Sequence, residues 1–187
     1  MRVITGNLKG KRLKTLDGLD TRPTQDRIKE AIFSIIQFDL QSAAVLDLFA
    51  GSGQLGIEAM SRGAKQCIFV DKSKDACSVI KDNVDSCKLG SATKTINSDV
   101  LSYLRTAPTG FNIAFLDPPY EMGLVLKTLE LLEPKLSEGG IVVCEHEAGL
   151  ELPEVIGNLK IRRKYGYGKK VALTVYTYNT EGRNSDE

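Results

Sequence analysis

From residue 43 to residue 144 the chain alternates short apolar runs with amphipathic stretches, and this rhythm constrains the fold more than any other feature. The runs Ala43–Phe49, Gln66–Val70, Lys94–Asn97, Phe111–Leu116 and Ile141–Cys144 predict five strands. Between them, Gln54–Ser61, Ser73–Cys87, Asp99–Arg105 and Leu124–Leu136 predict helices. In the second of these helices Ala76, Ile80, Val84 and Cys87 recur on one face; in the last, Val125, Leu129, Leu132 and Leu136 do so, with Gly139-Gly140 as a stop. Strands that are apolar throughout, each followed by a helix, make a parallel sheet covered on both faces.

The two ends depart from this rhythm. Residues 2–15 alternate around Gly6-Asn7 and Gly10 as a hairpin would. A helix is expected over 24–38, capped by Thr24 after Pro23, with Ile28, Ala31, Ile32, Ile35 and Ile36 on one stripe. Leu159–Tyr165 and Lys170–Tyr178 flank Gly166-Tyr167-Gly168 and predict an antiparallel pair that closes the sheet. The expected architecture is α/β: a mostly parallel seven-stranded sheet with a C-terminal antiparallel hairpin, helices on both faces, and a small N-terminal β-hairpin plus helix. We read one domain, with residues 1–40 an N-terminal extension, 41–178 the core and 179–187 a loose tail.

Composition narrows the class by exclusion. No stretch is apolar enough to span a bilayer, and Met1-Arg2-Val3-Ile4-Thr5-Gly6 lacks the apolar core of a secretory signal, so a cytoplasmic location is expected. The cysteines at 67, 77, 87 and 144 form no C-x-x-C pair. His146, the one histidine, stands in Glu145-His146-Glu147; without a second histidine it is read as structural, and no metal is expected.

Acids mark the strand ends: Asp47 in the first, Asp71 after the second, Asp99 after the third, Asp117 after the fourth and Glu145 after the fifth. In an open parallel sheet these ends share one edge, where ligands bind. A row of carboxylates suits a ligand rich in hydroxyl and amino donors. Gly51-Ser52-Gly53-Gln54-Leu55-Gly56 matches the dinucleotide fingerprint, with Asp71 twenty residues past Gly51. A nicotinamide-dependent oxidoreductase is therefore a competing reading. Against it, Asp47 just before the glycines would repel a pyrophosphate but attract the amino-acid end of S-adenosylmethionine, and the fingerprint opens behind a hairpin and a helix.

Asp117-Pro118-Pro119-Tyr120 suits a different task, holding a planar amino group during attack on an electrophile. The lone pair of a nucleobase amine is delocalised into the ring, and acceptors aimed at its N–H bonds draw it back. Asp117 supplies a carboxylate, Pro118 a backbone carbonyl with no N–H beside it, and Tyr120 a face on which an extracted base can rest. Net charge is only +1, yet residues 1–14 carry Arg2, Lys9, Lys11, Arg12 and Lys14 without an acid, and residues 160–170 carry Lys160, Arg162, Arg163, Lys164, Lys169 and Lys170 without one. Two basic segments on a neutral chain suggest local contact with a polyanion.

With these residues in view, the chain resembles the Rossmann-like S-adenosylmethionine-dependent methyltransferases. More narrowly, it resembles the bacterial family that methylates the exocyclic N2 of a guanine in small-subunit (16S) ribosomal RNA. The resemblance runs from about residue 2 to 178, through Arg2-Val3-Ile4-Thr5-Gly6, Lys9-Gly10-Lys11-Arg12, Arg22-Pro23-Thr24 with Arg27 and Glu30, Leu46-Asp47-Leu48-Phe49-Ala50-Gly51-Ser52-Gly53, Gly56-Ile57-Glu58-Ala59, Ser61-Arg62-Gly63-Ala64 and the tetrad. It implies that Asp47, Phe49, Ala50, Gly51, Ser52 and Gly53 hold the methionine part of S-adenosyl-L-methionine. It further implies Asp71 on the ribose, Lys72, Asp99 and Val100 around the adenine, and Arg22 and Thr24 near the mouth. Asp117, Pro118, Pro119 and Tyr120 would hold the target base, and Arg2, Lys9, Lys11, Arg12, Arg162, Arg163 and Lys169 would meet RNA phosphates. The implied partner is ribosomal RNA, within a small-subunit assembly particle, and the protein is expected to be a monomer. An adenine-N6 DNA methyltransferase uses the same tetrad chemistry and is the nearest alternative; a non-catalytic nucleic-acid-binding module is disfavoured by the complete set of acids.

Overall fold

The computed structural model describes residues 1–16, 23–119 and 123–180, with residues 23–26 described by their backbone alone. Five parallel strands form the body of the sheet: β1 Ala44–Leu48, β2 Gln66–Asp71, β3 Thr93–Asn97, β4 Phe111–Leu116 and β5 Leu136–Glu147. Three more, β6 Val155–Ile156, β7 Leu159–Tyr167 and β8 Val171–Tyr178, continue it in antiparallel sense, and the strand order is β3-β2-β1-β4-β5-β8-β7-β6. The sheet thus has eight strands among the described residues, one more than expected. The addition is β6, whose two residues are too few to show a periodicity in sequence.

Alternation along the strands sorts the core into two layers. Val45, Phe69, Ile113, Phe115, Ile141 and Val143 face helices α1 (Pro23–Ile35), α2 (Gln54–Ser61) and α3 (Lys74–Ser86). Leu46, Leu48, Val70, Ala114, Leu116 and Val142 face α4 (Val100–Thr106) and α5 (Leu124–Leu132). Phe33 fixes α1 over the middle of the sheet: its ring lies 5.5 Å from that of Phe115, and the Arg62 guanidinium covers it at 4.6 Å.

Two boundaries differ from the sequence expectation. α5 ends at Leu132, not Leu136, because Pro134 cannot continue a helix and restricts Glu133 before it. Leu136 instead opens β5, which leaves the β4 register and regains it at Ile141. α1 ends at Ile35, and a turn at Ile36–Asp39 replaces its last expected residues.

The N-terminal hairpin is a loop closed by a single bridge between Arg2 and Arg12. Its backbone turns toward α2 instead of extending a ladder. The buried Glu58 carboxylate accepts from Ile4 N (2.7 Å), Thr5 N (2.9 Å) and Arg62 Nε (2.8 Å), with Lys29 Nζ at 3.8 Å. Ser61 Oγ accepts from Leu8 N and donates to Thr5 O. Gly6, at φ +86, lies so close to the Ser61 backbone that a Cβ would overlap its carbonyl.

Candidate active site

The turn after β1 is built under backbone strain. Phe49 has φ 60, unusual for an aromatic residue, and Gly51 and Gly53 follow at φ 55 and 76. Gly53 is the N-cap of α2. At Gly51 a Cβ would meet nothing within 4 Å, so the turn is open on that side. Gly56 serves packing, since a Cβ there would overlap the Phe69 ring and the Cys67 sulfur of β2. Its N–H donates to Asp47 Oδ2 at 2.8 Å, and that of Ile57 to Gly53 O. The amides of Gln54 and Leu55, in the first turn, have no intrahelical acceptor.

Asp71 is oriented from both sides, accepting from Gly51 N (2.9 Å, Oδ2) and Ser73 N (2.8 Å, Oδ1). An ionised carboxylate has about four acceptor positions, so each oxygen keeps one for a further donor. Asp99, at the neighbouring strand end, caps α4 by accepting from Ser102 N at 2.9 Å. That bond holds its carboxyl below the ordinary value, and the nearby Lys72 ammonium adds to the effect. Val100 is buried in the core with Leu104, so its side chain faces inward.

Asp47 is almost fully buried in the middle of the sheet, and burial pushes its carboxyl up to about 8 despite the bond from Gly56; Asp117 and Asp71 push the same way. β1 and β4 are neighbours, and Leu48 pairs with Leu116, so Phe49 and Asp117 leave the sheet side by side. The glycine turn and the proline pair therefore flank one crevice.

Asp117 and Glu145 follow the paired residues Leu116 and Cys144 on adjacent strands. Loss of solvation raises both carboxyls, and the Asp117 charge raises Glu145 further. Asp117 keeps more solvent contact than Glu145. The two carboxyls titrate as one coupled pair, shifted upward together.

Pro118 and Pro119 open into a cavity of 880 Å³ whose other walls include Val125, His146, Leu150, Lys169 and Lys170. Burial lowers the His146 pKa, leaving a neutral ring whose Nδ1–H donates to Glu147 O (2.9 Å) while Nε2 accepts from Thr174 Oγ1 (2.8 Å).

The structure brings Asp47, Phe49–Gly53, Asp71, Lys72, Asp99, Asp117, Pro118 and Pro119 to one edge of the sheet. Tyr120, Arg22 and the Thr24 side chain lie outside the described residues. The basic residues are exposed in separate places. Arg2, Lys9, Lys11 and Arg12 ride the N-terminal loop on α2, Lys169 lines the cavity at Pro118, and Arg162 and Arg163 line a second cavity against α1.

Sequence reasoning missed two organising residues. One is Glu58. The other is Asn83 of α3, buried, whose Oδ1 accepts from Lys14 N (2.7 Å) and whose Nδ2 donates to Lys14 O and Ser52 O (3.0 Å each). A polar residue beside the apolar stripe of Ile80 and Val84 was the available signal.

Known proteins match this arrangement over nearly its whole length. The family described as "Conserved hypothetical protein 95" matches residues 1–177. "Putative rRNA methyltransferase YlbH" of Bacillus subtilis (strain 168) is 43% identical over 90% of this chain and 94% of its own. "Ribosomal RNA small subunit methyltransferase D" of Escherichia coli (strain K12) is 33% identical over 98% and 93%. A solved structure, "Putative methyltransferase yhhF from Escherichia coli", superposes with a TM-score of 0.87 at 34% identity, covering 96% of this chain and 98% of that one. The chain belongs to the conserved hypothetical protein 95 family, and with it to the rRNA methyltransferases represented by small subunit methyltransferase D.

Proposed function

We propose that this protein transfers a methyl group from S-adenosylmethionine to the exocyclic N2 of a guanine in small-subunit ribosomal RNA. The observation that carries this reading is the shared crevice: a glycine turn backed by Asp47 and Asp71 opens directly beside Asp117-Pro118. The names of the relatives supply the RNA, and the chemistry of the tetrad supplies the amine.

The donor groups of S-adenosylmethionine fit this edge. Asp47 and the free first-turn amides of α2 are suited to its ammonium and carboxylate, and the spare acceptor positions of Asp71 to its ribose hydroxyls. Asp99, Lys72 and the backbone at Val100, at the next strand end, would surround the adenine. The bound cofactor supplies an electrophilic methyl on a sulfonium.

The chain's own residues do the rest. Asp117 and the Pro118 carbonyl are suited to accept from the amino group and draw its lone pair out of conjugation onto the nitrogen. This preorganised pair needs no reorganisation during transfer. Asp117 is suited to offset the positive charge that develops on the nitrogen as the methyl leaves the sulfonium, before the amino group gives up its extra proton. The target base must leave its stack, and the cavity beyond the prolines has room for it. Arg2, Lys9, Lys11, Arg12 and Lys169 position phosphates without reading sequence.

The test is nucleoside mass spectrometry of small-subunit RNA from cells with and without the protein. Loss of one N2-methylguanosine is expected. An unchanged methylguanosine content sinks the reading, and loss of a methyladenosine instead reassigns the amine.

A further inference from the structure

A second cavity, of 670 Å³, lies on the α1 side of the sheet. Ser34 and Ile35 of α1 form one wall, and Arg162, Arg163, Tyr165 and Tyr167 of β7 form the other. Two consecutive arginines can line one groove because β7 bulges there. Ile161 pairs with Tyr176 and Arg163 with Val175, so Arg162 is the extra residue. Bulges re-aim side chains in this way. Before the bulge Ile161 packs on the α5 side of the sheet, and after it Tyr165 and Tyr167 pack toward α1.

The groove combines flat faces with fixed cations. The Arg163 guanidinium lies 5.8 Å from the Tyr165 ring centroid, and Tyr165 and Tyr167 are half-buried, held against the core and open on one side. Arg162 meets Asp39 at 4.0 Å, an exposed pair of little worth that an incoming phosphate can displace. Phe38, next to Asp39 in the chain, is 90% exposed, the most solvent-open large apolar side chain among the described residues. Residues 160–170 contain six bases and no acid. Aromatic faces interleaved with cations are the composition of a single-stranded nucleic-acid platform.

The groove ends at the same hairpin tip as the cavity at Pro118. Tyr167 lines it, and Lys169, two residues further round the same hairpin, lines the cavity that contains Pro118 and Pro119. Two residues span about 7 Å at most. One hairpin tip thus borders both cavities.

We propose that the groove between α1 and β7 is a second nucleotide cleft, which takes an unstacked nucleotide of the RNA strand flanking the methylated one. Its base stacks on Tyr165 and Tyr167, and its phosphates meet Arg162 and Arg163. This rests on the rRNA methyltransferase reading and adds to it a second point of grip.

The test is methyl transfer from labelled S-adenosylmethionine to small ribosomal subunits from cells lacking the protein, alongside anisotropy with a labelled single-stranded RNA oligonucleotide. R162Q/R163Q is expected to raise the KM for subunits and to lower the magnitude of the log–log salt slope for the oligonucleotide by about 1.4. Y165A/Y167A is expected to raise KM about tenfold and Y165F/Y167F to restore it, because a phenyl ring stacks as well. Cofactor affinity stays at the wild-type value in all three, which separates a binding defect from misfolding. Variants at parity with an active wild type overturn the cleft and leave the methyltransferase standing. A loss confined to assembled subunits assigns the groove to a ribosomal protein and also overturns it. A wild type that methylates no RNA overturns both.

Discussion

The parallel and antiparallel parts of the sheet present opposite charge at the edge they share. Where β1 to β5 end, the chain places Asp47, Asp71, Asp99, Asp117 and Glu145. Where β7 turns into β8 it places Lys164, Lys169 and Lys170, with no acid between residues 160 and 170. A net charge of +1 conceals this division. Asp47 is buried, Asp47 and Asp71 are each held by backbone amides, and Asp99 caps α4; the basic residues are exposed. Carboxyls held by fixed backbone donors give directional recognition of a small ligand, whereas exposed lysines give a salt-sensitive grip on a polyanion. A transferase that joins a compact cationic donor to a long anionic acceptor needs both, side by side.

Substitutions on either side test whether the division is functional. The largest effect is expected at Asp117. Asp117→Ala should lower kcat by about 10²–10³-fold, the loss seen when a single preorganised group is removed, while cofactor affinity by calorimetry is unchanged. If that variant also fails to bind cofactor, the boundary between donor site and amine site is drawn in the wrong place.

Next is a dependence on pH. The Asp47 carboxyl stands at about 8 without ligand, and an ammonium beside it would draw the value down. Binding then releases a proton. Affinity should rise about tenfold per pH unit below about 8 and level off above it. The reverse slope in titrations at several pH values would separate Asp47 from the cofactor's charged end. The smallest effects belong to the basic part: single changes such as Lys169→Ala or Lys9→Ala should each flatten the salt dependence of RNA binding by about 0.7–0.9 in slope. An unaltered slope for all of them would make the lysines solvation alone.

The alternation of strands and helices was legible because each element repeats its own period within a few residues, and the edge acids follow once the sheet is known to be parallel. The α5–β5 boundary was not, because Leu136 continues the helical stripe of Leu129 and Leu132 although Pro134 has already ended the helix. Tertiary partners were the other blind spot. Glu58 looks like any helix acid until its acceptors are found to serve Ile4 and Thr5, 54 and 53 residues away. Arg162 and Arg163 read as alternating strand residues, and only the bulge brings both into one groove.

The Asn83 side chain has one carboxamide, and it serves Lys14 and Ser52 together. The leading segment and the strained turn after β1 are thereby made parts of one cooperative unit. Amide hydrogen exchange should find the two opening at a common rate, and ligand that stiffens the turn should slow exchange at residues before Lys14 that it never touches.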